Sequence, residues 1–258
     1  MTYAGSTRAQ SARTGFLAGI LNGLIGIGGG IVIVPALLAR GATPQQAVGT
    51  SLAAVVVLST IAFVPHAFIT GVTLGGVGFA AVVASGIAGA LAGAWILARL
   101  TPRRMLLLFA VLVFALSARL VLQGIGIASL QPMWPGEPTL SGYLCVGLAS
   151  GVLSGVFGVG GGALVVLGLA VLFGMSVHDG LPIALAVNVT NAIAGAARHG
   201  LAGRIRRSDV LAMIPAAIGG IAIGAAVALW LPPDALRVVF GGFFCFMGVR
   251  MARQGLRR

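Results

Sequence analysis

The stretch NGLIGIGGG at residues 22–30 occurs a second time, as SGVFGVGGG at residues 154–162. Residues 19–34 and 151–166 align with eight identities in sixteen positions, and each stretch lies inside a long apolar run. Glycine inside a helix costs roughly 1 kcal/mol relative to alanine. Four glycines within five positions therefore predict that each run is broken at this point. The alternative is close-packing glycines of a membrane helix, but these are usually spaced by four residues.

The composition is that of a membrane protein. Of the 258 residues, 59% are hydrophobic and 8% are charged, and the mean hydropathy is +1.09. A soluble domain cannot bury so many apolar side chains. The unbroken runs are ~20 residues long, which is enough to cross ~30 Å of hydrocarbon as a helix. We therefore expect an all-α polytopic membrane protein whose surroundings are the lipid bilayer.

The charge distribution indicates that nucleic acid is not a partner. The net charge of +12 comes from sixteen arginines and no lysine, against four carboxylates. The arginines cluster in short connections between apolar runs, which is a signal of membrane topology and not of a binding face. Cys145 and Cys245 lie inside apolar runs, which argues against a disulfide.

The apolar runs divide the chain into two similar parts, each with one broken run followed by three unbroken ones. The halves of the first broken run, 16–25 and 31–39, are nine or ten residues long. As helices they would measure ~15 Å and reach only the middle of a bilayer. The predicted segments are a disordered cytoplasmic N-terminus at 1–14, a first membrane repeat at 15–123, an external linker at 124–139, a second membrane repeat at 140–250 and a cytoplasmic tail at 251–258.

The arginines decide how the broken runs lie in the membrane. If each broken run crossed the bilayer, Arg99, Arg103 and Arg104 would lie outside, against the positive-inside rule. If each is a re-entrant hairpin, the arginine-rich turns are cytoplasmic and the arginine-free connections lie outside. The fold expected is two inverted-topology repeats, each a glycine-rich re-entrant helix plus three transmembrane helices. The expected location is the bacterial cytoplasmic (inner) membrane, with both termini in the cytoplasm.

Each glycine break is followed by a half-helix, and this predicts an anion site. The first-turn N–H groups of a helix have no partner within it, and the helix dipole places roughly half a positive charge there. No Lys-Ser/Thr follows the glycines, which excludes a nucleotide-binding P-loop. The four carboxylates lie in connections or at the ends of runs, which argues against a cation site or an intramembrane aspartyl protease. We expect no metal, no cofactor and no enzymatic activity.

The chain resembles the TauE/SafE family of membrane transporters, which includes sulfite exporters and sulfonate uptake permeases. The resemblance covers about residues 15–250. It rests on NGLIGIGGG with Pro35 after it, on Gly-Thr-Ser-Leu at residues 49–52, and on SGVFGVGGG. It implies a substrate among sulfite, sulfonates, thiosulfate and related organosulfur anions.

The second repeat departs from the family pattern. Leu-Pro-Ile-Ala at residues 181–184 stands where a second Gly-Thr-Ser-Leu is usual. Asn188, Thr190 and Asn191 lie one to two turns further along, so the polar lining of that half is expected to be shifted. Asn188 and Asn191 share one helix face and either line a pore or join neighbouring helices.

The candidate substrate site combines the two breaks with the polar residues nearest to them in sequence. Thr50 and Ser51 either contact the anion or bond to carbonyls of their own helix. The substrate-binding candidates are Asn22, Gly26, Ile27, Gly28, Gly29, Gly30, Thr50, Ser51, Ser154, Gly158, Val159, Gly160, Gly161, Gly162, Asn188 and Asn191.

Three further residues are candidates for gating or proton coupling. His66 and His199 correspond between the repeats at a shift of 133 residues. They are either solvated at the membrane interface or a symmetric pair that gates the path or moves protons. Arg119 either snorkels to the membrane surface or attracts anions in the exit path.

The function predicted is an anion carrier with alternating access. An anion leaving a cell with a negative interior gains ~2.3 kcal/mol per charge per 100 mV, so export needs no coupled ion. The alternatives are an anion channel of the same architecture, a proton-coupled uptake permease for sulfonates, a membrane enzyme that uses a histidine, and a structural subunit. The sequence leaves open whether the protein is a monomer or a homodimer.

Overall fold

The computed structural model describes residues 7–26, 28–70, 76–124, 139–173, 175, 177–230 and 233–256. These ranges form ten helices and contain no β-strand, which confirms the all-α class. The helices are α1 (Arg8–Ile25), α2 (Gly30–Ala39), α3 (Pro44–Thr70), α4 (Val77–Leu97), α5 (Pro102–Gly124), α6 (Leu140–Phe157), α7 (Gly162–Phe173), α8 (Val177–Leu201), α9 (Arg207–Trp230) and α10 (Pro233–Leu256). We call α1–α5 the first half and α6–α10 the second half.

Several of these helices match the thickness of a bilayer. Within the described part of the chain, five are long and apolar enough to cross a membrane. At 1.5 Å per residue, their apolar segments of 18 to 22 residues span roughly 27–33 Å. The segments are Pro44–Val64, Val77–Leu97, Leu140–Phe157, Gly180–Leu201 and Arg207–Val227.

The ends of the chain are more helical than the sequence indicated. Residues 8–14, which belong to the segment predicted to be disordered, form the first two turns of α1 in the structure. The physical reason is a capping box, in which Thr7 and Gln10 satisfy each other's backbone N–H groups. Helix α10 likewise continues to Leu256, through most of the predicted tail. The predicted linker falls largely on residues outside the described ranges.

The helix before the first break is also longer than expected. Helix α1 has 18 residues, which is ~27 Å and not the ~15 Å predicted for 16–25, and α6 before the second break also has 18. Helix α2, with 10 residues, has the predicted half-length, and α7 has 12. Each hairpin therefore pairs a long helix with a short one.

Each glycine break turns the chain back on itself. The guanidinium of Arg40, at the end of α2, donates to the Gln10 carbonyl at 3.0 Å and to Thr14 Oγ1 at 2.7 Å. The end of α2 therefore lies beside the start of α1. In the second half, the rings of Tyr143 and Phe173 pack with centroids 5.2 Å apart and join the start of α6 to the end of α7.

The two halves pack through close helix pairs. Helix α1 runs parallel to α9, because Gly15, Gly19 and Gly23 contact the backbone of α9 at successively later residues. Helix α4 runs parallel to α6 in the same way. Small residues at such contacts let two backbones approach closely, which favours association of helices in membranes.

Two further pairs join corresponding helices of the two halves. Helix α3 runs antiparallel to α8, since Gly49 lies against His199 and Gly195 against Leu52. Helix α5 runs antiparallel to α10. If each helix is exchanged with its counterpart five places along the chain, the α1–α9 pair becomes the α4–α6 pair and the reverse, while the α3–α8 and α5–α10 pairs map onto themselves. The packing is therefore two-fold symmetric in its pattern.

Candidate functional site

The two glycine breaks have the same backbone conformation. Gly26 ends α1 with φ 69°, and Gly158 ends α6 with φ 69°. The next two left-handed positions also correspond, at Gly28 (85°) and Gly160 (87°), and at Gly29 and Gly161. Only glycine adopts such angles without strain. The prediction that these glycines break the helices is confirmed.

The breaks lie directly against each other. A Cβ atom added at Gly28 would lie 2.7 Å from the Val159 carbonyl oxygen, and one at Gly162 would lie 2.7 Å from that of Gly26. A Cβ at Gly30 would overlap the Gly158 carbonyl. The described residues of both breaks are buried. The first turns of α2 and α7 therefore meet inside the protein, and the glycines are needed for the contact.

The meeting point lies near the middle of the two central helices. A Cβ at Gly28 or at Gly160 would lie 3.0 or 2.9 Å from Val55 Cγ1 of α3. From the α8 side, Asn188 lies 2.7 Å from the Cβ position of Gly160. Val55 and Asn188 are within a turn of the midpoints of their apolar segments, Pro44–Val64 and Gly180–Leu201.

Asn22 closes the first break from within its own hairpin. The Gly28 N–H donates to Asn22 Oδ1 at 2.6 Å, and Asn22 Nδ2 donates to the Leu58 carbonyl of α3 at 2.9 Å. The side chain is buried and both of its polar atoms are used. Its amide oxygen thus already occupies one of the backbone N–H groups predicted to bind an anion.

Asn188 joins the two breaks. The Gly162 N–H, the first of α7, donates to Asn188 Oδ1. Asn188 Nδ2 donates to the Gly26 carbonyl at 2.7 Å. One buried side chain therefore caps a short helix of the second half and holds the end of a long helix of the first half.

Ser51 of α3 makes the bond to the second break that corresponds to the bond of Asn188 to the first. Its hydroxyl donates to the Gly158 carbonyl at 2.7 Å, so α3 of the first half holds the end of α6 in the second. At the shift of 133 residues that also relates His66 to His199, one more than the shift of the glycine motif, Ser51 corresponds to Ala184 of α8, which has no hydrogen-bonding side chain. Asn188, one turn further, supplies that bond instead. The side chain of α8 that holds the opposite break therefore lies one turn further along its helix than Ala184.

The other polar candidates divide between the breaks and the arginine-rich end. Asn191 Nδ2 lies 3.4 Å from both Ser150 Oγ and the Gly160 carbonyl, so this residue braces the second break. Ser154 is fully buried and its hydroxyl has no hydrogen-bond partner. Thr50 is away from the breaks, because its hydroxyl oxygen accepts from the Arg206 N–H at 3.1 Å.

Of the three gating candidates, His199 is the one whose side chain the structure describes, and it does not lie at the breaks. His199 is buried against Gly49 near the end of α8, and neither ring nitrogen has a hydrogen-bond partner. The Ile27 residue and the side chains of His66 and Arg119 lie outside the described residues.

Sequence reasoning missed Val55, whose side chain lies against both breaks. Val55 follows Ser51 by four residues and therefore shares its helix face, a spacing that could have identified it. Ser59 is buried and its hydroxyl has no partner. At the arginine-rich end, Ser11 donates to Asp209 at 3.0 Å and Asp209 pairs with Arg206 at 3.1 Å. No sequence signal indicates that contact between α1 and α9.

The electrostatics of the breaks come from the backbone. The N-termini of α2 and α7 face the same buried region, and each carries the positive end of a helix dipole. Helix α2 has no side-chain cap at its N-terminus, whereas Asn188 provides one for α7. Among the residues that the structure describes, no three potential metal ligands come together.

The comparisons with known proteins agree on the general class. The model of a family described as sulfite exporter TauE/SafE matches residues 12–251. The chain is 27% identical over 267 residues to the probable membrane transporter protein YunE of Bacillus subtilis (strain 168). The alignment covers 94% of this chain and 96% of that protein. It is 28% identical over 235 residues to the probable membrane transporter protein YdhB of the same organism, covering 86% and 91%. No solved structure matches.

Proposed function

The chain belongs to the sulfite exporter TauE/SafE family of membrane transporters, and we propose that it carries small sulfur oxyanions or organosulfur anions. The observation that carries this proposal is the contact between two glycine breaks, each at the N-terminus of a short helix. Backbone N–H groups and helix dipoles at such ends favour negative charge. Membrane transport is not an enzyme class.

We infer that the two halves are inverted repeats in a bacterial cytoplasmic membrane, with two re-entrant hairpins. The antiparallel course of α3 against α8 and of α5 against α10 supports inversion, because corresponding helices then enter from opposite faces. The bonds from Arg40 to the start of α1 and from Arg206 to Thr50 gather arginine-bearing turns at one end. That end is cytoplasmic by the positive-inside rule, and so are both termini.

The topology is tested by labelling. Single cysteines placed beside Arg99–Arg104 and beside Arg204–Arg207, in a variant without Cys145 and Cys245, are treated with a membrane-impermeant thiol reagent in intact cells and in inverted vesicles. Both positions should react only in inverted vesicles. Reaction of the two positions on different sides would contradict the inverted-repeat proposal.

The anion would be bound by backbone N–H groups around the breaks other than those of Gly28 and Gly162, which already donate to Asn22 and Asn188. Asn22, Ser51 and Asn188 position these backbones, because their polar groups already bond to them. The burial of both breaks supports a carrier over an open channel, since entry and exit of the anion then require the halves to move. With a negative cell interior, the membrane potential favours export.

The experiment combines binding and flux on purified protein. Sulfite, thiosulfate, sulfoacetate and sulfate are added in a thermal-shift assay, with zwitterionic taurine and chloride as comparisons. A ligand that binds the folded state raises the melting temperature. Proteoliposomes loaded with the best ligand should show saturable flux and counterflow. Flux without saturation or counterflow would identify a channel, and dependence on a pH gradient would identify a proton-coupled permease.

A further inference from the structure

Ser154 stands where the first half has Asn22, at a shift of 132 residues. Asn22 reaches the Gly28 N–H with its amide oxygen at 2.6 Å. Ser154 lies in the last turn of α6, and its backbone carbonyl accepts from the Gly158 N–H at 2.8 Å, as that of Asn22 accepts from Gly26. The two side chains therefore start from equivalent points of equivalent turns.

The serine side chain cannot do what the asparagine does. Its oxygen lies one bond closer to the backbone than the amide oxygen of asparagine, and its hydroxyl is fully buried without a hydrogen-bond partner. Asn191 approaches the same loop from α8, but its Nδ2 faces the Gly160 carbonyl and not the N–H. An unpaired buried hydroxyl is unfavourable, and native structures rarely retain one without a ligand or another use for it. The Ser154 hydroxyl at the second break is therefore free to donate, whereas Asn22 at the first break already uses both of its polar atoms.

We propose that Ser154 is a substrate-contacting residue, and that an oxygen of the bound anion takes the place beside Gly160 that the amide oxygen of Asn22 takes beside Gly28. The proposal rests on the proposed anion transport and specifies where the anion is held. The ligand it fits is a small oxyanion head group, sulfite or sulfonate, with an oxygen that accepts from the serine hydroxyl. The site is then asymmetric. The second break binds an oxygen of the substrate, whereas at the first break the amide oxygen of Asn22 occupies the equivalent position.

The decisive variant is Ser154→Ala. Removal of an unpaired buried hydroxyl should leave the melting temperature of the anion-free protein equal or higher, while the affinity for the best anion falls about ten- to a hundredfold, the usual effect of losing a hydrogen bond to a charged group. A purely structural serine would not give these opposite changes. The matched control is Ser59→Ala, which also removes a buried unpartnered hydroxyl and should leave the anion affinity unchanged.

The second variant is Ser154→Asn, which copies the first break into the second. Its amide oxygen should cap Gly160, so that the anion-free protein melts at a higher temperature and no longer responds to the anion. Anion affinities of Ser154→Ala and Ser154→Asn equal to that of the unsubstituted protein would overturn the inference while leaving anion transport intact. Absence of any anion response in the unsubstituted protein would instead refute the proposed function.

Discussion

The two glycine breaks have the same backbone but are held in different ways. At residues 26–30, the loop is closed by Asn22 of its own hairpin, which also bonds to α3. At residues 158–162, the corresponding side chain is too short, and the bracing comes from Asn188 and Asn191 of α8. The comparison shows that the glycines define the shape of both breaks, whereas the polar side chains that hold the breaks differ between the halves.

The largest effects are expected from adding side chains at the left-handed positions. Gly28→Ala combines a φ of 85° with a Cβ 2.7 Å from the Val159 carbonyl oxygen, a backbone atom that cannot turn away. Left-handed strain costs about 1–2 kcal/mol and overpacking about 1–3 kcal/mol, so the unfolding free energy should fall by roughly 3 kcal/mol or more. Gly160→Ala should cost less, because its nearest neighbour is the side-chain oxygen of Asn188. Denaturant titration in detergent measures the free energy of unfolding of both variants.

The control for these variants is Gly219→Ala, in an exposed part of α9 where no atom lies within 4 Å of the added Cβ. Alanine is the better helix former by roughly 1 kcal/mol, so this variant should be as stable as the parent or more stable. Equal stability of Gly28→Ala and the parent protein would show that the first break does not need its glycine.

The next largest effect is expected at Asn188. Asn188→Ala leaves the Gly162 N–H and the Gly26 carbonyl buried without partners, and each such group costs about 1–3 kcal/mol. The unfolding free energy should fall by roughly 2–4 kcal/mol, and anion flux should fall with it because the two breaks are no longer joined. Asn188→Asp keeps an acceptor for Gly162 but adds a negative charge, so it should lose flux even where the protein folds.

Ile193→Ala is the matched control for Asn188, because it lies on the same helix with an exposed side chain. Its stability and flux should stay close to those of the parent. If Asn188→Ala also retained full flux and stability, the two breaks would not be coupled through this side chain.

The sequence predicts the breaks well and the bracing poorly, for a physical reason. Left-handed glycines and helix ends are local, so Gly26 and Gly158 could be identified from the repeated motif alone. The bond from Asn188 to Gly26 joins residues 162 positions apart, and no local pattern specifies it. The start of α1 was missed because the capping residues Thr7 and Gln10 lie within a polar stretch that has no apolar periodicity.

A smaller change in the free energy of unfolding is expected when the Ser51 hydroxyl is removed, or when a hydroxyl is introduced at the corresponding position of α8. Ser51→Ala removes one hydrogen bond to the Gly158 carbonyl and should cost about 1 kcal/mol. Ala184→Ser introduces a hydroxyl at the equivalent position of α8. In an Asn188→Ala background it should recover about 1 kcal/mol by donating to the Gly26 carbonyl. The free energies of unfolding of the single and double variants give this coupling directly. If they are strictly additive, Ala184 does not face the first break.

The smallest effect should appear at the open ends of the hairpins, far from the breaks. In the first hairpin, Arg40 bonds to Gln10 and Thr14 near the surface, whereas the second is closed there by the packing of Tyr143 on Phe173. Arg40→Gln should lower the unfolding free energy by no more than about 1 kcal/mol, because partly exposed charged groups regain water when a bond is lost. The anion-induced shift of the melting temperature should be unchanged, since the breaks are braced by Asn22 and not by this end. A loss of anion binding in Arg40→Gln would mean that the open end of the hairpin controls the break, and that the two breaks differ in more than their side-chain bracing.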